Sequence, residues 1–171
     1  MRILVTAASK HGGTAEIAEW IGETLMMEGL DVYVRTPDTV TSLDGFDAVV
    51  LGSGVYAGHW LQSARSFVDR LGRGLAARPV WIFSSGPVGD PPKPVDGPAD
   101  GETMRLATGA REHRVFPGRI DRSTMGFGER AIVTALRVTD RDDRSMTEVR
   151  AWAEGIARSL MALAAEPVLT R

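Results

Sequence analysis

A turn of six residues near the start of the chain has the composition of an anion-binding site. It consists of Ser9, Lys10, His11, Gly12, Gly13 and Thr14. An apolar run at 3–5 precedes it, and Ile17, Ile21 and Leu25 follow at helical spacing, so the turn is predicted to end at a helix N-terminus. Unpaired backbone N–H groups there attract an anion, and glycine lets the backbone approach it closely. The turn is therefore predicted to hold a phosphate, although it also fits a plain glycine-rich connection.

The identity of that phosphate does not follow from the turn alone. Its spacing matches neither the GxxxxGK[ST] pattern of a P-loop nor the GxGxxG pattern of a dinucleotide-binding fold. The side chains of Lys10 and His11 could add positive charge to the phosphate, or could point to water. The strands and helices around the turn are needed to identify the ligand.

Apolar strands alternate with amphipathic helices along the whole chain. The predicted strands contain residues 3–5, 30–34, 48–51, 79–83 and 114–121, the last of them broken or bulged at Pro117-Gly118. Parallel neighbours need helical crossovers, so this alternation predicts one α/β domain over residues 1–171. We expect a three-layer sandwich with a five-stranded parallel sheet in the order 2-1-3-4-5. Its ligand should lie beyond the carboxyl ends of strands one and three.

Two further polar loops follow strands three and four and are expected at the same edge of the sheet. The second loop contains Ser53, Gly54, Val55, Tyr56, Ala57 and Gly58, and the third contains Ser84, Ser85, Gly86, Pro87, Val88 and Gly89. One planar ligand that carries a phosphate could touch all three loops.

The first loop resembles the phosphate loop of the flavodoxins, in which an S-x-T-G-x-T pattern holds the terminal phosphate of FMN. Ser9, Gly12 and Thr14 match that pattern, while His11 stands where the middle hydroxyl is usual. If His11 spoils the cradle, the domain binds another phosphate ligand or none. The resemblance otherwise implies a flavodoxin-like sandwich with FMN as its cofactor.

Other segments resemble the flavodoxin-like, quinone-dependent protoporphyrinogen IX dehydrogenases of bacteria. They are the Gly58-His59 pair, Phe83-Ser84-Ser85 and residues 115–121. The resemblance implies an oxidoreductase that passes electrons from a small-molecule redox substrate through the flavin to a quinone, with a peripheral membrane contact through that quinone. The alternative is a flavodoxin-type carrier that serves redox proteins.

Several residues have predicted roles in such a site. Backbone N–H groups of the second and third loops could bond the pyrimidine edge of the flavin, and Tyr56 could stack on its face, whereas Trp60 is expected in the core. His59 could relay a proton as a catalytic residue, or could cap the helix that begins near Gln62 or shape the loop.

The segment from Arg122 to Arg144 is less regular than the rest of the chain. The resemblance implies an insertion near the flavin that controls substrate access, but the apolar run 132–136 also fits a helix that covers the last strand. Arg119, Arg122 and Arg130 could meet the carboxylates of a porphyrinogen.

The composition excludes several other classes of function. The formal net charge of -2 gives no bulk attraction to nucleic acid, and the near-neutral balance argues against electrostatically steered docking to a redox protein. The chain has no cysteine and three scattered histidines, so no metal site is expected. No signal-peptide pattern and no apolar run of about 18 residues occurs, so we expect a cytoplasmic protein. The oligomeric state stays open.

Overall fold

The fold is built on a mainly parallel β-sheet, seen in a computed structural model that describes residues 1–86, 100–135 and 139–165. Its strands are β1 (Arg2–Ala8), β2 (Asp31–Arg35), β3 (Ala48–Tyr56), β4 (His59–Trp60), β5 (Val80–Ser85) and β6 (Glu112–Phe116). The order is β2-β1-β3-β5-β6, while the short β4 turns back antiparallel on the end of β3. Apart from this added hairpin, the predicted order 2-1-3-4-5 is confirmed.

Helices cover the sheet on both faces. They are α1 (Gly13–Met27), α2 (Gln62–Ala76), α3 (Gly101–Thr108) and α5 (Met146–Ala165), and a further helix, α4 (Phe127–Ala135), follows the last strand of the sheet. Successive residues of a strand point to opposite faces, so Ile3 and Val5 pack with α1 and α5, whereas Leu4 packs with α2. The two resulting cores give the predicted three layers. Within the described residues, no helix is both long and apolar enough to cross a membrane.

The ends of two helices follow from local chemistry. Gly12, with φ 81°, brings the chain into α1 through a left-handed conformation that glycine adopts at little cost. At α5, Ser145 and Glu148 have the spacing of a capping box, and the Glu148 backbone N–H donates to Ser145 Oγ at 3.3 Å. Trp152 and Ile156 then pack inward from α5.

The last predicted strand is broken, as expected, but its second half leaves the main sheet. After Pro117 and Gly118 the chain forms β7 (Arg119–Ile120), which pairs antiparallel with β8 (Arg141–Asp142). Proline cannot donate to a ladder. A Cβ on Gly118 would also lie 3.1 Å from the Gly86 Cα, so the chain passes close to the preceding loop here. We call β7 and β8 together the β7–β8 ribbon.

The described side chains of α4 are mostly exposed, so they give no support to the interpretation of this helix as a cover for the last strand. Phe127 is 92% exposed, and Ala131, Thr134 and Ala135 are exposed as well. The side chains of 132 and 133 and the whole of 136–138 lie outside the described residues, so the apolar run itself is only partly tested. The described part of α4 therefore lies on the surface.

Candidate functional site

A cleft of about 240 Å³ lies at the carboxyl edge of the sheet, where the strand order reverses between β1 and β3. We call it the edge cleft. It is lined by Ser9, Lys10, His11, Gly13, Thr14, Gly54, Val55, Tyr56, Ser85, Gly86, Gly118, Arg119, Ile120 and Met125. The prediction that three loops meet at one edge is confirmed. The last four lining residues come from the chain after β6. Arg119 was expected at the substrate, and Met125 belongs to the segment expected near the flavin, whereas Gly118 and Ile120 were not predicted to line the site.

Other predicted site residues lie outside this lining. Ser53 and Ser84 are fully buried, and their hydroxyls bond within the protein instead of facing the cleft. Ala57 and Gly58 form the tip of the β3–β4 hairpin, with φ 49° and 83°. Pro87, Val88 and Gly89 lie outside the described residues.

The turn before α1 presents polar groups that the protein leaves unused. Ser9 Oγ is buried and has no hydrogen-bond partner among the described residues. Thr14 is also buried, and a Cβ added to Gly54 would lie 3.1 Å from the Thr14 hydroxyl. The absent side chain at Gly54 therefore keeps space open beside Thr14. Since α1 begins at Gly13, unpaired N–H groups lie at the same place.

Lys10 and His11 are engaged by the start of α4 rather than pointing to water. The Lys10 ammonium forms a salt bridge with the Glu129 carboxylate. His11 Nε2 lies 3.4 Å from Glu129 Oε2, which also accepts from the Gly126 N–H at 3.2 Å. The hydrogen bond from Lys10 lowers the pKa of Glu129. A carboxylate thus lies against both basic side chains of the turn.

Tyr56 packs beside these two residues. Lys10 Nζ lies 4.8 Å from the centroid of the Tyr56 ring, and the His11 ring centroid lies 5.9 Å away. Burial, followed by the nearby charge of Glu129, raises the pKa of Tyr56 to about 12. The phenol is therefore neutral at physiological pH, and stacking on a flavin stays a prediction.

Two arginines of the ribbon region reach the turn from the other side. Arg119 donates to the Glu16 carboxylate at 2.9 Å and to the His11 carbonyl at 3.4 Å. Arg144 donates to the Gly13 carbonyl at 2.9 Å and lies 2.7 Å from Glu16 Oε2. Sequence reasoning missed both contacts, because no local pattern links residues that are more than 100 positions apart.

A buried polar chain supports the third loop. The Trp60 Nε1–H donates to Ser84 Oγ at 2.7 Å, and His113 Nε2 lies 2.8 Å from the same oxygen. Burial lowers the pKa of His113, which favours the neutral imidazole. Trp60 is 1% exposed, so its predicted place in the core is confirmed.

His59 lies outside the lining of the edge cleft. Its side chain is 56% exposed, and Nδ1 lies 3.7 Å from Asp100 Oδ2. No side chain of the described residues caps α2, so the interpretation of His59 as a helix cap is wrong. His59 instead belongs to β4, which pairs with the end of β3, so it contributes to the shape of the loop. Asp100 is a carboxylate neighbour that the sequence did not reveal, and a catalytic role of His59 stays a prediction.

Comparisons with known proteins agree with this geometry. A family model described as "Flavodoxin domain" matches residues 4–147. No curated protein matches the chain. Among solved structures, a flavodoxin from the domain Archaea is similar with 18% identity and a TM-score of 0.63, over 94% of this chain and 99% of that one. Flavodoxin 2 from Bacillus cereus has 20% identity and a TM-score of 0.62, over 93% and 99%.

A larger protein also contains this fold. Rubredoxin oxygen:oxidoreductase from the anaerobe Desulfovibrio gigas is similar with 15% identity and a TM-score of 0.67. The match covers 96% of this chain but only 37% of that protein. At these identities the structural likenesses show the fold alone.

Proposed function

This chain belongs to the flavodoxin-domain family, and on that premise we propose that it is an electron-transfer protein whose FMN lies in the edge cleft. FMN is the cofactor of this family. When bound, it supplies one-electron and two-electron redox chemistry, and the protein supplies binding, orientation and electrostatics. The residues of the cleft therefore have to perform those three tasks.

The observation that carries this proposal is the hydroxyl of Ser9. A buried hydroxyl without a partner costs free energy, and Ser9 Oγ has none among the described residues. A phosphate oxygen beside it would accept that hydrogen bond. The space kept by Gly54 beside Thr14 and the free N–H groups at the start of α1 fit the same phosphate.

The second and third loops suit the ring system of a flavin. A Cβ on Gly86 would lie 2.9 Å from the Val55 Cβ, so the two loops touch each other at this point. The backbone of Gly54 and Ser85 lines the cleft and could bond the polar edge of the ring. Tyr56 is neutral and half-exposed, so it offers an aromatic face at the rim.

Titration of the apo-protein with FMN tests the proposal. We expect submicromolar affinity for FMN and weaker binding of riboflavin, which lacks the phosphate. Ser9→Ala should weaken FMN binding about tenfold, the effect of a lost hydrogen bond to a charged group. Ser66→Ala, on the exposed face of α2, is the matched control. The proposal fails if FMN does not bind.

A second candidate function is a dehydrogenase that transfers electrons from protoporphyrinogen IX, through the flavin, to a quinone. The exposed Phe127 favours it, because an apolar surface lies two residues beyond Met125, which lines the edge cleft. Arg122 and Arg130 line one surface recess and could meet substrate carboxylates. Arg119 is already bonded to the first turn of α1, so we assign it to that turn instead.

Electron donors and acceptors distinguish the two candidates. The dehydrogenase should be reduced by protoporphyrinogen IX and reoxidised in a two-electron step by a quinone. Phe127→Ser should then slow the quinone reaction without releasing FMN. A carrier should instead exchange single electrons with a redox protein, and the Phe127→Ser variant should leave its reaction with quinones as slow as before. Contact with a membrane surface is expected only for the dehydrogenase.

A further inference from the structure

We propose that Arg144 is a positioning residue for phosphate recognition: it fixes the first turn of α1 so that its N–H groups face the phosphate. Arg144 lies on the C-terminal side of the β7–β8 ribbon, 131 residues after the glycine whose carbonyl it binds. The inference rests on the proposed binding of FMN.

The environment of Arg144 shows that its guanidinium is fully committed. The side chain is 3% exposed. Its Nε and its second amino group donate to the two oxygens of Asp142 at 2.8 and 2.6 Å. The remaining amino group reaches Glu16 and the Gly13 carbonyl. Asp142 alone would neutralise the guanidinium charge of Arg144. The bonds to Glu16 and to the Gly13 carbonyl are therefore not needed for charge pairing.

The start of α1 lacks the usual side-chain support. The residue before the helix is Gly12, whose carbonyl accepts from the Glu16 N–H at 3.0 Å, but no side chain of the described residues caps the N-terminus. Two successive glycines also leave the backbone of the turn with unusual conformational freedom. A fixed geometry at this turn must therefore come from elsewhere in the fold.

Peptide geometry explains what the arginines fix. In a planar trans peptide, the carbonyl of one residue and the N–H of the next point in opposite directions. Arg119 holds the His11 carbonyl and Arg144 holds the Gly13 carbonyl. The N–H groups of Gly12 and Thr14 therefore point away from these arginines. The two guanidinium groups thus determine the direction of the donors at the turn.

Charge alone does not explain this arrangement. Arg119 and Arg144 share Glu16, and Arg144 also pairs with Asp142, so two cations face two anions. The charges of these four side chains cancel, so they leave little net attraction for an anion. The contribution of Arg144 to phosphate binding is therefore geometric.

The ratio of FMN affinity to riboflavin affinity tests this role, because only FMN carries the phosphate. In Arg144→Met we expect about a tenfold weaker binding of FMN and less than about a threefold change for riboflavin. Arg144→Lys keeps the charge but cannot bridge three groups, so it should restore little of the ratio. Arg150→Met is the matched control, since Arg150 pairs with Glu23 farther along α1.

The outcomes separate this inference from the proposed function. If the wild-type protein does not prefer FMN to riboflavin, the proposed phosphate site fails. If the wild type shows the preference and the Arg144 variants keep the same ratio, the role of Arg144 is refuted. Full recovery in Arg144→Lys would also refute it, because charge would then suffice. Circular dichroism checks that each variant folds. If Arg144→Met does not fold, the ratio of FMN affinity to riboflavin affinity is measured in Arg144→Lys alone.

Discussion

Replacing Trp60 by phenylalanine tests the buried support beneath the third loop. The indole is 1% exposed, and its N–H donates to Ser84 Oγ at 2.7 Å. Phenylalanine keeps an aromatic ring but removes this donor and part of the buried surface. Among the described residues, the Ser84 hydroxyl would then keep only His113 as a side-chain partner. The variant therefore loses one buried hydrogen bond as well as packing.

The expected destabilisation is the sum of two contributions. The lost hydrogen bond is worth about 1 kcal/mol, and the lost apolar contact about 1–2 kcal/mol. Trp152→Phe is a matched control, because Trp152 is also buried but its Nε1 has no partner among the described residues. The control should lose the packing contribution but also remove an N–H that is buried without a partner among the described residues. Trp60→Phe should therefore be less stable than Trp152→Phe by at least about 1 kcal/mol.

Urea unfolding of the two apo-variants measures this difference directly. With an m-value of about 2 kcal/mol/M, 1 kcal/mol corresponds to about 0.5 M in the unfolding midpoint. Ser85 and Gly86 line the edge cleft directly after Ser84, so Trp60→Phe should also weaken FMN and riboflavin binding by equal factors. Equal midpoints for the two variants would refute the hydrogen-bond argument, and a loss of FMN binding alone would refute the assignment of this loop to the ring.

Three further predictions follow from other contacts. Glu129→Gln removes the carboxylate beside Lys10 and His11, so FMN should bind about fivefold tighter. Calorimetry with Glu154→Gln as control measures this affinity, and unchanged or weaker binding would contradict the prediction. Gly52→Ala would place a Cβ 2.1 Å from the Phe83 ring and should lower the free energy of unfolding by at least about 3 kcal/mol. Gly128→Ala is the control, because its Cβ would meet no described atom within 4 Å and the variant should fold normally. Equal thermal stability of the two variants would show that this reasoning is wrong. Burial lowers the pKa of His113 below 6.5, against the opposing charges of Glu102 and Asp100 and together with Arg105, so the unfolded chain binds a proton first as the pH falls. The stability that this histidine contributes is full above pH 6.5 and is lost as the pH falls from there towards the folded-state pKa. The His113→Gln variant should therefore lose less stability than the wild type between pH 7.5 and 5.5. An equal loss in both proteins would contradict the prediction.

The sheet and its three loops could be predicted because their signals are local. The apolar run Ala48 to Leu51 marks a strand that is buried on both faces, and parallel strands bring the loops that follow them to one edge. The capping pattern at Ser145 is likewise contained in four residues. Such features need no knowledge of distant contacts.

The surroundings of the site could not be predicted, because they depend on packing between remote segments. Nothing in the sequence pairs Arg144 with Gly13, or Glu129 with Lys10. Nor does anything in the sequence pair Asp100 with His59 or Trp60. The apolar run 132–136 also fitted a buried helix, but the side chain of Phe127 at the start of α4 is 92% exposed.

The long-range bond between Arg144 and Gly13 also has a consequence for the kinetics of folding. The strands and α1 can form from nearby parts of the chain, but this contact closes a loop of 131 residues, whose entropy cost delays it. The turn before α1 should therefore reach its final geometry late, after most of the helical signal has appeared. In a refolding experiment, the quenching of FMN fluorescence should follow the recovery of circular dichroism as a separate, slower phase.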